Sequence, residues 1–399
     1  MTKTKLWTKD FIIMAAATFF IALIFILLMT TMAMYAIQQF NASPSQAGLA
    51  AGIFVIGALI GRLLAGKYME VIGRKKLLYS SLVLFLLATL LYFAVDTIGL
   101  LLIVRFIHGS AFGFSATTLA TAAMSLIPEE RRGEGTGYFS LSPALATAVG
   151  PFLGVIISQQ GDYSRIFSAC TVFTVISMIL LLFSHIPEAK LTSEQRQSMK
   201  GFRFQDYFEQ SALPISGVML LMGIAFSGIM AFINSYAAEI NLVTTAGFFF
   251  LVYAAAVIIS RLFTGRLMDR KGDNFVMYPA LLVFSASLLV LSQVEQGAML
   301  LFAGVLGGLG FGTLMSCSQA IAVKQSPEHK VGLAISTYFF FLDAGTGVGP
   351  FLLGMLIPVI EFRGMYMTLA VGVLLSVFIY YYLHGKKVAS RSQQAEEPC

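Results

Sequence analysis

The sequence predicts an all-α integral membrane protein, with twelve transmembrane helices arranged as two pseudo-symmetric six-helix bundles. Three observations predict it. First, 57% of the 399 residues are hydrophobic, only 12% are charged, and mean hydropathy is +0.82, so a soluble chain could not cover itself with polar surface. Second, apolar runs of the roughly 20 residues needed to cross about 30 Å of hydrocarbon recur along the chain, separated by short polar segments. Third, one stretch is written twice, 199 residues apart. The run from Gly61 to Arg74 matches that from Ser260 to Asp273, so that Arg62, Leu63, Gly66, Met69 and Gly73 recur as Arg261, Leu262, Gly265, Met268 and Gly272. Gly150-Pro151-Phe152-Leu153 with Gly349-Pro350-Phe351-Leu352, and Pro128-Glu129 with Pro327-Glu328, keep the same offset. Two homologous halves in a membrane chain are a common construction of secondary transporters, with a site near mid-bilayer.

Taken in order, the predicted spans cover 11–37, 48–66, 77–95, 98–124, 137–158 and 165–186 in the first half. The second half supplies 213–237, 246–267, 275–293, 297–323, 332–357 and 363–384. Domains follow: residues 1–186 form the first bundle, 187–212 a linker, 213–385 the second bundle and 386–399 a tail. The first run is too long for a signal-peptide core and lacks a small-residue cleavage site, so it reads as a retained helix. With the N-terminus inside, only Arg165 and Arg363 of the 26 Lys and Arg fall at the outer ends of spans, and only Arg62, Arg105 and Arg261 lie deeper within spans, Arg266 being at the inner edge of its own. Cationic loops stay on the cytoplasmic side, so both termini are expected in the cytoplasm of a plasma-membrane protein. The net charge of +6 then has a topological cause and gives no reason to expect nucleic acid.

The linker carries both charge signs, and its aromatic piece at Phe202, Phe204, Tyr207 and Phe208 is expected to lie at the membrane interface. Cys170, Cys317 and Cys399 show no paired or metal-ligand spacing and are expected to be passive. No nucleophile–base arrangement and no Gly-rich phosphate loop occurs, which argues against an enzyme and against ATP as the energy source. Uphill movement would draw on an ion gradient, with no cofactor.

At the duplicated motif the chain resembles the major facilitator superfamily over essentially all twelve spans. In that family's loop between the second and third helices, a Gly lets two helices approach, an acid follows, and a basic run comes next. Here Gly66, Glu70, Gly73 and Arg74, with Lys75, occupy those positions, although Glu70 stands where Asp is usual. Asp269 and Arg270 lie in the second copy. The resemblance implies a conformational latch, because an acid near a helix N-terminus interacts favourably with its dipole and with neighbouring Arg.

The fifth span resembles the signature of the drug:proton antiporters, carrying Gly137, Gly150, Pro151 and Gly154, with Val155 replacing a usual Gly. Gly345, Gly349, Pro350 and Gly354 repeat the pattern in the eleventh span, so part of it belongs to the fold. Gly150-Pro151 and Gly349-Pro350 are expected helix hinges.

Residues that break the internal symmetry point to chemistry. Arg105 aligns with Gly304 and His108 with Gly307, and a cation at membrane depth is costly unless it finds water, an acid or carbonyls. The resemblance implies proton coupling for Arg105; purely structural bonding of Arg105 and His108 is the alternative reading. Asp343 aligns with Ala144, and a carboxylate at that depth is expected to take up and release a proton, because burial disfavours its charged form. Glu239, at the outer end of the seventh span, is a second acidic candidate. By resemblance, the first, fourth, seventh and tenth spans face the pathway, giving Met34, Tyr35, Asn234, Tyr236 and Gln319 as substrate-binding candidates, with Thr30 and Ser316 beside them.

The leading expectation is a monomeric, proton-coupled exporter of a small amphipathic or lipophilic solute, acting by alternating access. A proton symporter importing a sugar, organic acid or other nutrient, and a lipid translocator, are the alternatives. The expected partners are a small-molecule substrate, protons and the lipid bilayer.

Overall fold

The computed structural model describes residues 5–158, 163–189 and 204–386, whose regular elements are all helices, with no strand among them. The first half contains α1 (Lys9–Phe40), α2 (Pro44–Ile72), α3 (Arg74–Leu91), α4 (Ile98–Leu126), α5 (Arg132–Phe139), α6 (Leu141–Ser158) and α7 (Tyr163–Leu182). The second contains α8 (Leu213–Glu239), α9 (Val243–Arg261), α10 (Thr264–Lys271), α11 (Asp273–Ser292), α12 (Gly297–Lys324) and α13 (Val331–Tyr380). Ten helices among the described residues are long and apolar enough to cross a membrane. The last of these runs 58 residues, Glu328–Gly385, and covers both the eleventh and the twelfth predicted spans. The linker between 190 and 203 and the tail from 387 lie outside the described residues.

Local chemistry sets the helix ends. Thr8 accepts a hydrogen bond from the Phe11 amide at the start of α1, Ser43 and Gln46 form a reciprocal capping box at α2, and Thr97 accepts from Leu100 N at α4. Gly73 and Gly272, repeat mates, separate α2 from α3 and α10 from α11 with φ +99° and +85°. A side chain at either position would be strained, which explains why glycine stands at both.

Three departures from the predicted spans have different origins. The fifth span is two helices, interrupted at Ser140, because α5 (Arg-Gly-Glu-Gly-Thr-Gly-Tyr-Phe) holds three glycines and has little intrinsic helix preference. The eighth span is broken after Arg261, and nothing in the sequence explains that break. The eleventh and twelfth are joined without a loop; the chain turns at Glu361, whose φ of 58° and ψ of 175° are non-helical, three residues after Pro358.

The chain forms two compact units. One comprises Met1–Pro128, Leu145–Glu209 and Pro327–Phe340; the other comprises Glu129–Ala144, Gln210–Ser326 and Phe341–Cys399. The sequence halves therefore exchange two short segments, the start of the fifth span and the start of the eleventh. Within the first unit, α2 and α4 pack at backbone distance: a Cβ at Gly57, Gly61, Gly109 or Gly113 would strike a carbonyl of the facing helix. Phe25, Phe54 and Phe112 stack behind them at 5.0–5.4 Å between ring centroids. In the second unit Phe311, the repeat mate of Phe112, lies 4.0 Å from Phe226 in a parallel stack.

Candidate functional site

In the first unit the duplicated motif closes on itself. Glu70 and Arg74, one turn apart on successive helices, form a buried ion pair with 2.6 Å between Nη2 and Oε1, and Arg74 Nε donates to both carboxylate oxygens at 3.0 Å. Arg74 Nη1 also reaches Ser125 Oγ at 2.8 Å and the Pro187 carbonyl at 3.1 Å. Glu188 caps α3, accepting from the Arg74 and Lys75 amides at 2.7 and 2.9 Å. Thus Arg74 is a buried partner, whereas Lys75 and Lys76 are exposed. The start of α13 lies in this unit too. A Cβ on Gly66 would collide with Ser336, whose hydroxyl donates to the Arg62 carbonyl, and a Cβ on Gly332 would meet Glu70 Oε1 at 3.1 Å.

The linker's end reinforces that contact. Tyr207 presents its ring 3.9 Å from the buried Lys67 Nζ, Phe208 packs on Phe340 at 5.4 Å, and the Glu209 amide donates to Thr337 Oγ1 at 2.9 Å. Glu209 also faces Lys330 Nζ at 3.5 Å. Tyr207 and Phe208, expected at the membrane surface, are half-buried and pack on a buried cation and an aromatic partner. Phe202 lies outside the described residues, and the side chain of Phe204 is likewise not described.

The second copy is wired differently. Asp269 accepts from the Gly133 and Glu134 amides at 2.8 and 2.9 Å, placing a carboxylate on the first turn of α5. Glu134 in turn accepts from Arg131 Nε and Arg266 Nε, each at 2.7 Å. Burial pushes the Glu134 carboxyl upward, but the two guanidinium groups outweigh it and hold the group below the usual range. Arg270 is exposed. Asp273, the counterpart of Arg74, faces His384 Nε2 at 3.1 Å and Lys324 Nζ at 3.6 Å.

The intramembrane candidates divide sharply. Arg105 is fully buried in the first unit; Nε donates to the Ala50 carbonyl at 2.9 Å, Nη2 to Ala51 at 3.1 Å, and the guanidinium lies 4.7 Å from the Phe54 ring. It ties α4 to α2. His108 is also fully buried, with Nε2 3.2 Å from Thr89 Oγ1 and Nδ1 3.0 Å from Tyr92 OH. Since the Thr89 hydroxyl proton goes to the Phe85 carbonyl at 2.8 Å, Thr89 must accept from Nε2–H, which leaves Nδ1 to accept from Tyr92. In this arrangement a neutral imidazole fills both of its hydrogen bonds. Asp343 is half-buried on α13 of the second unit, where the Leu342 carbonyl abuts Gly223 and Gly345 abuts the Leu220 carbonyl of α8. Glu239 is the exposed last residue of α8.

The predicted substrate residues scatter. Tyr236 is fully buried and donates to the Leu291 carbonyl at 2.9 Å, which makes it a tie between α8 and α11. Tyr35 is buried among Phe40, Tyr163 and Phe167, with ring centroids 4.9–5.5 Å away. Met34 and Asn234 are exposed, while Gln319 is buried with no hydrogen-bond partner for Nε2 among the described residues. Ser316 is consumed by the Arg261 guanidinium, and Thr30 by the Ile26 and Leu27 carbonyls. Gly150 seats α6 against Ile26 of α1, and α13 runs helically through Gly349 and Pro350. The fifth span is instead interrupted at Ser140, and the non-helical residue of α13 is Glu361, between the eleventh and twelfth spans. The side chain of Pro151 is not described.

Comparison with known proteins decides the lineage. The family model described as Major Facilitator Superfamily matches residues 14–297 and 243–398. The chain belongs to the major facilitator superfamily. Among its relatives, the staphylopine export protein of Staphylococcus aureus is 22% identical over 347 residues, covering 83% of this chain and 85% of the relative. The multidrug resistance protein MdtG of Dickeya zeae is 22% identical over 402 residues, covering 98% of each. The fold matches the crystal structure of the human organic anion transporter MFSD10 with TM-score 0.74 at 13% identity, covering 93% of this chain and 98% of that one. Members of the superfamily are transporters, and this chain is a multi-pass membrane transporter rather than an enzyme.

Several residues of this facilitator were missed by sequence reasoning. Glu188 lies in the linker, 114 residues from the Arg74 amide it caps, and no spacing rule joins them. Glu134 and Arg131 were legible only as loop charges, although Leu333 in place of an acid at the repeat mate of Glu134 was a visible asymmetry. Arg62 and Arg261 recur in both copies, and both reach the same place on the facing helix, Thr117 at 3.4 Å and its repeat mate Ser316.

Proposed function

We propose that this facilitator is a proton-coupled exporter of a small amphipathic or lipophilic solute. The observation that carries the coupling is Asp343: of 20 acidic residues, it alone falls inside a predicted span, and its repeat mate is Ala144. A carboxylate is neutral when protonated and anionic when not, so it can sit in a low-dielectric span in one state and pair with a cationic or polar solute in the other. Arg105 and His108 are assigned to holding α4 in place, since Arg105 Nε and Nη2 bond to α2 and both ring nitrogens of His108 meet Thr89 and Tyr92, although Arg105 Nη1 is buried with no hydrogen-bond partner among the described residues. The export direction is supported by the relatives, which include a staphylopine export protein and multidrug resistance proteins, and by the glycine–proline pattern of the fifth span. We further place both termini in the cytoplasm of the plasma membrane, from the distribution of Lys and Arg.

The test is transport in proteoliposomes under an imposed pH gradient. Wild-type protein is expected to accumulate a lipophilic dye against its gradient only when the lumen is acidic, and Asp343→Asn to lose that dependence while eluting as a folded monomer. Gradient-driven transport by Asp343→Asn at the wild-type rate would remove the carboxylate from the mechanism, and accumulation driven by the opposite gradient would make the protein an importer.

A further inference from the structure

Between α3 and α7 of the first unit lies an open groove of about 290 Å³, lined by Tyr79 and Leu86 on one side and Val175, Met178, Ile179 and Leu182 on the other. The spacings explain its form. Residues 79 and 86 lie two turns apart on one helix, and 175, 178, 179 and 182 form the i, i+3, i+4, i+7 stripe of the other, so each helix contributes one straight face. At 1.5 Å per residue the groove runs about 10 Å along the helices. The lining is aliphatic but for Tyr79, whose hydroxyl is already donated to the Leu181 carbonyl at 2.9 Å. Nothing in the groove asks for a polar guest.

Its mouth is different. Tyr79 lies one turn below Lys75 and Lys76, at i+4 and i+3, so both exposed lysines stand over the open end. The nearby Glu188 carboxylate is turned to the α3 amides of Arg74 and Lys75. Among the described residues neither lysine side chain has a carboxylate partner. Leu182, the last residue of α7, and Phe183 are both largely exposed at the same level, so the groove opens where acyl chains meet headgroups.

We propose that this groove holds an acyl chain of an anionic phospholipid of the cytoplasmic leaflet, whose phosphate pairs with Lys75 and Lys76. The groove supplies chain burial for any lipid, and the two lysines supply the preference for negative headgroups; their snorkelling stems cover the first methylenes. The site rests on the proposed placement of both termini in the cytoplasm, but not on proton coupling or on the direction of transport.

Native mass spectrometry of the purified chain in detergent, titrated with phosphatidylglycerol or phosphatidylcholine, tests this. Wild type is expected to retain phosphatidylglycerol roughly 30-fold more strongly, at about fivefold per lysine. Lys75→Gln/Lys76→Gln is expected to lose that preference while keeping weak binding of both lipids. Val175→Trp, which fills the groove and leaves the lysines, is expected to lose binding of both. Equal retention of the two lipids by wild type, or unchanged retention in Val175→Trp, overturns the proposal. So does a dimer that Val175→Trp abolishes, since the groove would then seat a second copy of the chain.

Discussion

The two copies of the duplicated motif share their glycines and their backbone turn, yet they bind their surroundings by opposite electrostatic logic. In the first, Glu70 is long enough to fold back on Arg74 and spends its charge there, so the start of α13 is met by an ion pair that is already neutral. In the second, Asp269 is one methylene shorter, has no arginine four residues on, and gives both oxygens to the first amides of α5. The residue at the next turn inverts its sign, Arg74 against Asp273, and its partners invert with it: Glu70, Ser125 and a carbonyl around the cation, His384 and Lys324 around the anion. Gene duplication preserved the geometry that only glycine permits, while the charges diverged freely provided each buried ion kept a partner. The first copy is thus built as a closed pair and the second as a helix cap.

Arg74→Ala is the largest expected break in this comparison. It would leave Glu70 buried without its counter-ion, a loss of about 3–5 kcal/mol, whereas Asp273→Ala frees a half-solvated Lys324 and a histidine and should cost much less. Thermal unfolding in detergent measures both. Equal losses in the two variants would show that the first pair is no more buried, energetically, than the second. Replacing both partners together, Glu70→Gln with Arg74→Met, should restore most of the stability lost by Arg74→Ala, because no charge is left uncompensated.

Next in size is the cap. Asp269→Ala should cost about 0.5–2 kcal/mol, as expected for removal of a carboxylate from the first turn of a helix, and Asp269→Asn less, since one amide bond can survive. Glu70→Ala combined with Arg74→Ala should leave α5 undisturbed. Hydrogen exchange of the amides between 132 and 139 distinguishes the copies directly: protection is expected to fall in Asp269→Ala and to hold in the Glu70/Arg74 double variant. Loss of protection in both would make the two motifs one coupled device.

Most of the apolar spans, the repeat and its two turn glycines were legible in the sequence, because each rests on a one-dimensional signal: a run of apolar residues, a fixed offset, or a glycine that a backbone turn requires. The intramembrane sites were legible as residues but not as roles. Arg105 and His108 stood out by breaking the repeat, yet whether they titrate or simply bond depends on Ala50, Ala51, Thr89 and Tyr92, which lie on other helices. Tyr236 was placed in the pathway because its span was expected there; the Leu291 carbonyl that claims its hydroxyl is 55 residues away. Helix breaks divide in the same manner, the glycine-rich α5 being foreseeable in hindsight and the turn at Glu361 not, since no rule of propensity places φ of 58° on a glutamate.

The smallest expected effect uses Glu134, for which the first copy has only Leu333. Its carboxyl lies below the usual 4.5 in the folded protein because Arg131 and Arg266 outweigh the upward push of burial. A depressed carboxylate contributes stability that is fully present above its unfolded value and is lost as the pH falls through the lower folded value. Arg266 is more than half exposed, so solvent screens part of this contribution and the effect should be modest. Between pH 5 and 8 wild type and Glu134→Gln should therefore differ by a constant offset in melting temperature, and below about pH 4.5 the offset should shrink toward zero. Leu333→Glu, which writes the same acid into the first copy next to Lys330, should produce no such acid-sensitive gain, because no counterpart of Arg266 stands there; Lys67, its repeat mate, is buried against Tyr207. A pH-dependent gain in Leu333→Glu equal to that of Glu134 would mean that the lone cation before the helix suffices, and that the two copies differ less in wiring than in the presence of a single side chain.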